Sequence, residues 1–286
     1  MPALSPQLSP GLSEADIARY HAQGYLAPIR ALSTAEANSY RQRLEAAEAS
    51  GRLPDGGLRN KSHLLFPWLY DLIQHSSVLD AVEGALGPDI LCWGSSFFIK
   101  EPRNKSFVSW HQDLTYWGLD PADIVTAWVA ISESTLENGA MRVMPGTHTT
   151  DIVPHSDTFN PDNLLSRGQE IAVEVDASLA VALELQPGEM SLHHVKLIHG
   201  SEPNPSAKRR IGYAIRYIPT HVRQTVDKVA AGMKDSATLV RGVDRYGHFL
   251  PEQRPEAELS DTAIAHHAAV TGVTRGILMR GTGRGM

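Results

Sequence analysis

The sequence predicts an all-β barrel or sandwich with α-helices packed around it. Helical patterns are concentrated in the first ninety residues, whereas short segments that alternate apolar and polar side chains follow from residue 90 onward. No stretch alternates a strand with a helix, so a doubly wound parallel sheet is not expected. Together these observations favour one β-rich domain.

The N-terminal part of the chain is predicted to be helical. Residues 1–12 form a loose, proline-containing leader. Capping boxes at Ser13–Asp16 and Ser33–Glu36 mark the starts of two helices, because each serine can accept a hydrogen bond from the backbone three residues later. A third helix follows Ser77, with apolar residues at helical spacing up to Gly87–Pro88.

From residue 90 the pattern is that of strands joined by turns. The predicted strands cover residues 90–100, 107–117, 123–131, 140–144, 171–175, 181–185, 189–194 and 210–218. Residues 151–168 are predicted to be irregular, residues 221–255 a lid or long loop, and residues 257–269 a helix. The expected domain therefore consists of a leader (1–12), a helical part (13–89), a β core (90–220) and a lid with a C-terminal segment (221–286).

The composition indicates an ordinary globular protein. The chain has 286 residues, and 26 Lys and Arg against 32 Asp and Glu give a formal net charge of −6, which argues against a nucleic-acid or membrane surface. Its one cysteine, Cys92, cannot form an internal disulfide, and neither a signal peptide nor a membrane-spanning run is evident. We expect a cytoplasmic monomer or homodimer that acts on a small molecule.

Histidine and aspartate occur twice at the spacing His-x-Asp. In a strand, residues i and i+2 face the same side, so His111 and Asp113 can bind one metal ion together. The flanking residues of this pair are strand formers. His155 and Asp157 have the same spacing but lie among prolines in the predicted irregular segment, so we do not expect them to bind the metal.

A third histidine, His199, has a sequence context that suits a dicarboxylate. Ser201 follows closely, and the turn-rich segment 200–205 can bring Arg210 back beside His199. An arginine and a hydroxyl can hold one carboxylate while the other end of the ligand chelates the metal. His194 is the rival ligand, but it has the wrong strand parity relative to His199.

Two histidines and one carboxylate on one face are typical of non-haem Fe(II) oxygenases. Three coordination positions stay open, which suffices for a bidentate 2-oxo acid and for O2. Zinc would favour a tetrahedral site and has no redox chemistry.

Longer motifs resemble the phytanoyl-CoA dioxygenase family over roughly residues 13–220. The matching segments are WHQDLTYW (110–117), TAWVA (126–130), ENGAMRVMPGTH (137–148), LQPGE (185–189) and HGSEPNPSAKRR (199–210). The resemblance implies a dioxygenase that depends on Fe(II) and 2-oxoglutarate, built on a double-stranded β-helix of the jelly-roll or cupin type.

The resemblance also assigns roles to single residues. The matching positions are His111, Asp113 and His199 for the iron, Arg210 and Ser201 for the distal carboxylate of 2-oxoglutarate, and Trp128 and Lys100 near this cosubstrate. Related halogenases have a small residue in place of the ligand carboxylate, so an intact Asp113 favours hydroxylation.

The substrate is not fixed by the resemblance, because the family acts on acyl-CoA, amino acids, ectoine, alkaloid precursors and aminophosphonates. Without a basic patch for the CoA phosphates, we expect a small polar metabolite. Ala214 and Arg216 share a strand face with Arg210, whereas Arg209 is predicted to point away from it. Arg216 can pair with an acidic substrate group or form a structural ion pair. Trp117 is predicted to share a strand face with His111 and Asp113. Trp117 and Arg142 are weaker candidates for lining the substrate pocket, and core packing is the alternative for Trp117.

Three other functions are compatible with these motifs. The chain can be a cupin-like protein that binds a metal without oxygenase activity, an acyl-CoA hydroxylase, or a zinc or manganese hydrolase or isomerase. Dependence on O2 and release of succinate separate the oxygenases from the rest.

Overall fold

The computed structural model describes residues 11–225 and 234–279. The helices are α1 (Glu14–Gln23), α2 (Thr34–Ala49), α3 (Pro67–Leu72), α4 (Ser76–Leu86), α5 (Leu114–Trp117) and α6 (Asp261–Leu278). The strands are β1 (Tyr25–Arg30), β2 (Ile90–Lys100), β3 (Val108–His111), β4 (Leu119–Asp120), β5 (Val125–Ala130), β6 (Met141–Val143), β7 (His155–Asp157), β8 (Gln169–Ile171), β9 (Val181–Leu183), β10 (Glu189–His194), β11 (His199–Ser201), β12 (Arg210–Pro219), β13 (Arg223–Gln224), β14 (Ser236–Arg241) and β15 (Leu250–Pro251).

Two sheets form the core. The larger has the order β1-β10-β5-β12-β2-β14-β15 and is antiparallel except for the pair β14–β15, and the smaller has the order β3-β11-β6-β9. Side chains of β5 and β12 pack against side chains of β6 and β9, so the two sheets face each other. This arrangement confirms the predicted β core with peripheral helices.

The side-chain alternation along β12 divides the two faces of the large sheet. Ile211, Tyr213, Ile215 and Tyr217 point outward and pack with the helices in the main hydrophobic cluster. Their neighbours Arg210, Ala214 and Arg216 point inward and line a cavity between the sheets. The buried outer face therefore holds the helices, while the inner face is free to carry function.

The N-terminal helices begin where the capping boxes predict. The Ser13 and Ser33 hydroxyls accept from the backbone N–H groups of Asp16 and Glu36, and both carboxylates bond back to their serines. Helix α4 begins at Ser76 and ends at Leu86, and it is followed by Gly87, whose φ of 84° suits glycine. The segment 13–89 is not entirely helical, because β1 joins the edge of the large sheet by pairing with β10.

The structure corrects four predicted element boundaries. Strand β3 ends at His111, since Asp113 already has helical φ and ψ, and 114–117 is a short helix instead of strand. The segment 151–168 contains β7, which pairs with β8. The predicted helix at 257–269 lies at 261–278.

The fourth correction concerns the predicted lid. Strand β14 pairs with β2 inside the large sheet, so 221–255 is not one long loop. A fully buried network holds this segment: the Lys61 ammonium lies 2.6 Å from Glu252 Oε1, and His63 Nε2 lies 3.0 Å from Glu252 Oε2. Burial alone would raise the pKa of Glu252, but Lys61 and His63 hold that pKa well below its usual range. No helix within the described residues is long and apolar enough to span a membrane.

Candidate metal centre

The three residues predicted from the sequence to bind a metal lie close together at the small sheet. His111 is the last residue of β3, His199 is the first of β11, and their Cα atoms are paired in the ladder. Asp113 lies two residues beyond β3, and its Oδ1 is 3.3 Å from His111 Nε2. One ligand atom from each residue lies within 4.8 Å of the other two, and within the described residues no other such group of three occurs.

Backbone carbonyls orient both imidazoles toward this centre. His111 Nδ1 lies 2.9 Å from the Ser109 carbonyl oxygen, and His199 Nδ1 lies 2.9 Å from that of Leu197. A carbonyl oxygen can only accept, so each Nδ1 carries the proton and each Nε2 has a free lone pair. Second contacts of this kind fix the ring orientation of metal-binding histidines.

The protonation states also suit a divalent cation. Burial is the largest cause that puts the pKa of His199 well below its usual range, so this ring is neutral. Burial alone would raise the pKa of Asp113, but the adjacent His111 and His199 side chains and the Arg216 guanidinium lower it well below its usual range, so this group is a carboxylate. Two imidazole nitrogens and one carboxylate are the donor set that a ferrous ion accepts, so these residues fit the metal.

The second His-x-Asp pair shapes the site without joining it. His155 Nε2 accepts from the backbone N–H of Gln112 at 3.0 Å, between the two ligands His111 and Asp113. Asp157 accepts from Arg167 Nε at 3.0 Å. Although β7 makes this segment a strand, neither side chain belongs to the group of three.

His194 and His148 have other contacts. His194 Nδ1 accepts from the backbone of Lys196 at 3.1 Å, and His148 Nε2 lies 3.0 Å from the carbonyl of His21.

Sequence reasoning missed His193, which lines the central cavity with its ring centroid 4.8 Å from that of His199. The alternation of side chains along β10 could have predicted this position, because Ser191 and His193 share the inner face of that strand. His193 Nδ1 is buried and has no hydrogen-bond partner among the described residues, and burial lowers the pKa of this ring to about 4.

Two buried cations lie beside the metal centre. Arg210 on β12 pairs in register with Lys100 on β2, and both side chains are almost fully buried. Lys100 Nζ lies 2.7 Å from Ser201 Oγ, and both cations contact the carbonyl of Gly139. Neither forms an ion pair with a carboxylate in residues 11–225 and 234–279, and Arg210 Nε has no partner there. Such a pair is poised to bind an anion.

Burial disfavours the charge of both cations, and Arg210 further disfavours that of Lys100. Burial and the charge of Arg210 lower the pKa of Lys100 to about 6, and burial lowers that of Arg210 to about 9. A bound carboxylate would raise both values again. Trp128 borders the site, with its ring centroid 5.3 Å from the Arg210 guanidinium carbon. This placement requires Gly212, since a Cβ there would lie 1.8 Å from the indole ring.

The structure separates the three candidate substrate residues. Arg216 lies on the inner face of β12, donates to Ser96 Oγ at 2.8 Å, and lies 5.4 Å from the Trp117 ring centroid. Trp117 reaches this place from helix α5, so the predicted shared strand face was the wrong reason for its position. Arg142 points away from the metal centre: it bonds to the Ala177 carbonyl and lines a different cavity, because Met141 takes the inner position of β6.

Comparisons with known proteins agree with this geometry. The family model for phytanoyl-CoA dioxygenase matches residues 20–212. A probable α-ketoglutarate-dependent hypophosphite dioxygenase of Stutzerimonas stutzeri is 30% identical over 158 residues, which cover 53% of this chain and 54% of that protein. A phytanoyl-CoA dioxygenase of Arabidopsis thaliana is 29% identical over 54% of each chain. The chain thus spans about half the length of these curated relatives.

Solved structures resemble nearly the whole chain. The apo form of the non-heme monooxygenase ThoJ is 34% identical, with a TM-score of 0.80 over 92% of this chain and 96% of that one. CytC3 with Fe(II) and α-ketoglutarate is 25% identical, with a TM-score of 0.64 over 86% of this chain and 99% of that one. The fold, the site and the matched segments lead to one assignment: this chain belongs to the phytanoyl-CoA dioxygenase family.

Proposed function

We propose that the protein is a dioxygenase that uses Fe(II), 2-oxoglutarate and O2 to hydroxylate an aliphatic C–H bond of a small polar metabolite, releasing succinate and CO2. One observation supports this proposal: the candidate metal ligands and a buried cation lie in one cavity. The group His111, Asp113 and His199 lies in the same cavity as Arg210 and Ser201. A metal-chelating dicarboxylate such as 2-oxoglutarate needs a metal and a cation in this arrangement.

The residues divide the work between metal and cosubstrate. His111, Asp113 and His199 would hold the iron, which when bound supplies the O2 and C–H chemistry. Arg210 would receive the distal carboxylate of 2-oxoglutarate through its unpaired Nε and a terminal nitrogen, and Ser201 would contribute a hydroxyl. Lys100 bonds to Ser201 and would add positive charge behind it once the bound carboxylate raises the pKa of the amine.

The walls of the cavity keep the cosubstrate in place and exclude water. Trp128 lies against Arg210, so a carboxylate bound there is enclosed by an apolar ring. Excluding water strengthens the attraction between guanidinium and carboxylate, because the local dielectric is low. The intact carboxylate of Asp113 supports hydroxylation over halogenation, since it takes the coordination position that a halide would need.

The substrate class is supported by the cavity and by one relative. A cavity of about 330 Å³ adjoins the metal centre, near the lower end of the usual size of ligand sites. The S. stutzeri relative carries a name that specifies hypophosphite, a small polar anion. Amino acids, betaines and aminophosphonates are the compounds to test first, with acyl-CoA as the alternative.

Succinate release tests the proposal. The purified chain is incubated with Fe(II), 2-oxoglutarate and O2 and screened with amino acids, betaines, aminophosphonates and acyl-CoAs. We expect one class to stimulate succinate release and to gain an oxygen atom. Argon and Asp113→Ala should each abolish release, with a loss of at least about a hundredfold for a misplaced metal. Asp157→Ala is the matched control, because it removes the aspartate of the other His-x-Asp pair.

Two outcomes would reject this function. Turnover that persists under argon with zinc or manganese would indicate a hydrolase or isomerase. A chain that binds Fe(II) through the three ligands but releases no succinate with any compound would be a metal-binding module.

A further inference from the structure

A second cavity adjoins the cavity that contains the candidate metal centre. It has a volume of about 330 Å³, and Phe98, Asp113 and Arg216 line both this cavity and the one that holds the candidate metal ligands. These three side chains therefore form the boundary between the cavities. A molecule that contacts Arg216 from the larger cavity would lie at the entrance to the metal centre.

Arg216 is a largely buried cation without a counter-charge. Its Nη1 donates to the neutral hydroxyl of Ser96, and its guanidinium lies near the faces of Trp117 and Phe98 at 5.4 and 6.0 Å. It forms no ion pair within the described part of the chain. The nearby Asp113 lies beyond ion-pair distance, and a metal would take up its charge. The structural ion pair is thus not formed there, and an unpaired buried guanidinium is costly unless a ligand supplies the anion.

The rest of the cavity suits the body of an organic molecule. Its apolar walls come from five parts of the fold, and they include Leu58, Trp93, Phe97, Phe98, Ile99, Trp117, Leu164, Leu165 and Leu278. Helix α6 supplies the far wall with Thr274 and Leu278. Arg59 is the other cation, but it is exposed at the rim. One buried cation in an aromatic setting selects for a single anionic group on a largely apolar body.

We propose that the substrate is a small organic anion, a carboxylate or phosphonate, whose anionic group binds Arg216 while its apolar body lies against Trp93 and Trp117. The proposal rests on the proposed function and names the substrate class of that site. It separates the two anion positions: Arg210 and Lys100 receive the cosubstrate on one side of the metal, and Arg216 receives the substrate on the other.

Calorimetric titration with matched acid and amide probes tests this assignment. The chain is first saturated with Mn(II) and 2-oxoglutarate under argon, so that the Arg210 site is filled and turnover cannot occur. 3-Phenylpropionate and hexanoate are then titrated against their carboxamides, and hexylphosphonate is included for the second anion class. We expect at least one acid to bind about thirtyfold or more tightly than its amide, as for other buried charge pairs.

Variants of two arginines show which residue causes the preference for the acid over the amide. Arg216→Leu should remove it by weakening acid binding, with little effect on the amide. Arg216→Lys should restore part of it, which covers the case in which the leucine variant fails to fold. Arg59→Leu is the matched control, since it removes the same charge from the exposed rim of the same cavity, and it should retain the preference.

Several results would overturn the assignment. The first is that no acid binds the wild-type protein more tightly than its amide. The second is that the preference for the acid survives Arg216→Leu or disappears in Arg59→Leu. The third is that Arg216→Leu weakens acid and amide binding equally, which indicates a structural role. If Mn(II) or 2-oxoglutarate fails to bind, the proposed function is wrong, and the same titration on the chain alone still decides the role of Arg216.

Discussion

His111 and His199 face each other across one antiparallel pair of strands, with their ring centroids 4.1 Å apart. The ladder between β3 and β11 therefore sets the spacing of two candidate metal ligands that are distant in the sequence. A shift of one residue in this register would turn one imidazole to the opposite face of the sheet. Two of the three candidate ligands are for this reason in place once the small sheet has formed, and Asp113 follows directly after β3.

A divalent metal should stabilise the folded chain through these histidines. Mn(II) at about a hundred times its Kd should add about 2.7 kcal/mol to the free energy of unfolding, because it binds only the folded site. Thermal unfolding followed by circular dichroism would show this as a rise in Tm. His111→Ala should remove the rise.

His155→Ala is the control for this measurement. It loses the bond to the Gln112 backbone, so its Tm without metal should fall, but the metal-induced rise should persist. An equal rise in wild type and His111→Ala would show that the metal binds elsewhere.

Much of the site was predictable because it depends on strand parity. The alternation of β12 placed Arg210, Ala214 and Arg216 on one face, and the structure shows these residues lining one cavity. Arg209 was predicted to point away, and it pairs instead with Glu48 and Glu101 on the outside. Periodicity is reliable here because a long strand is buried on both faces.

Short elements were not predictable in the same way. The helix after Asp113 is one turn long, too short to show a helical period, so Trp117 was placed by a parity that does not apply. Arg142 was misplaced because β6 has three residues, and nothing in its sequence shows which of them faces inward. The pairing of β14 with β2, and the bond from Lys61 to the Ser236 carbonyl, join residues that are far apart in the sequence, so no local pattern predicts them.

The two adjacent arginines of β12 should differ sharply in their effects on the cosubstrate. Arg210→Ala should raise the KM for 2-oxoglutarate by about thirtyfold or more, because it removes the buried partner of a carboxylate. Arg209→Ala should leave that KM unchanged and cost at most about 1 kcal/mol of stability, since its ion pairs are partly solvated. Steady-state kinetics and Fe(II) titration check both, and equal loss of Fe(II) and 2-oxoglutarate binding in Arg210→Ala would contradict its role.

The affinity for 2-oxoglutarate should depend on pH through Lys100. The pKa of this amine is about 6 in the free protein, so the amine is mostly neutral at pH 7, and a bound carboxylate raises the pKa. Binding then takes up a proton. Affinity should therefore fall by up to about tenfold per pH unit above pH 6 and level off below it.

Titrations under argon between pH 6 and 8 would measure this slope. Lys100→Met keeps the length of the side chain but cannot bind the proton, so its affinity should be lower at pH 6 and nearly flat across the range. A slope that is the same in wild type and Lys100→Met would assign the proton to another group.

The position of the Trp128 ring depends on the absence of a side chain at residue 212. A Cβ on Gly212 would lie 1.8 Å from the Trp128 ring, so Gly212→Ala must displace the indole from beside Arg210. We expect a loss of about 1–3 kcal/mol in the free energy of unfolding, as for other overpacked interiors, together with a higher KM for 2-oxoglutarate. Gly272→Ala is the control: it adds the same methyl group in helix α6, where nothing lies within 4 Å, and should stabilise the chain by about 0.5–1 kcal/mol. Denaturant unfolding and cosubstrate kinetics on both variants would decide, and an unchanged KM in Gly212→Ala would mean that the Trp128 ring does not help to hold the cosubstrate.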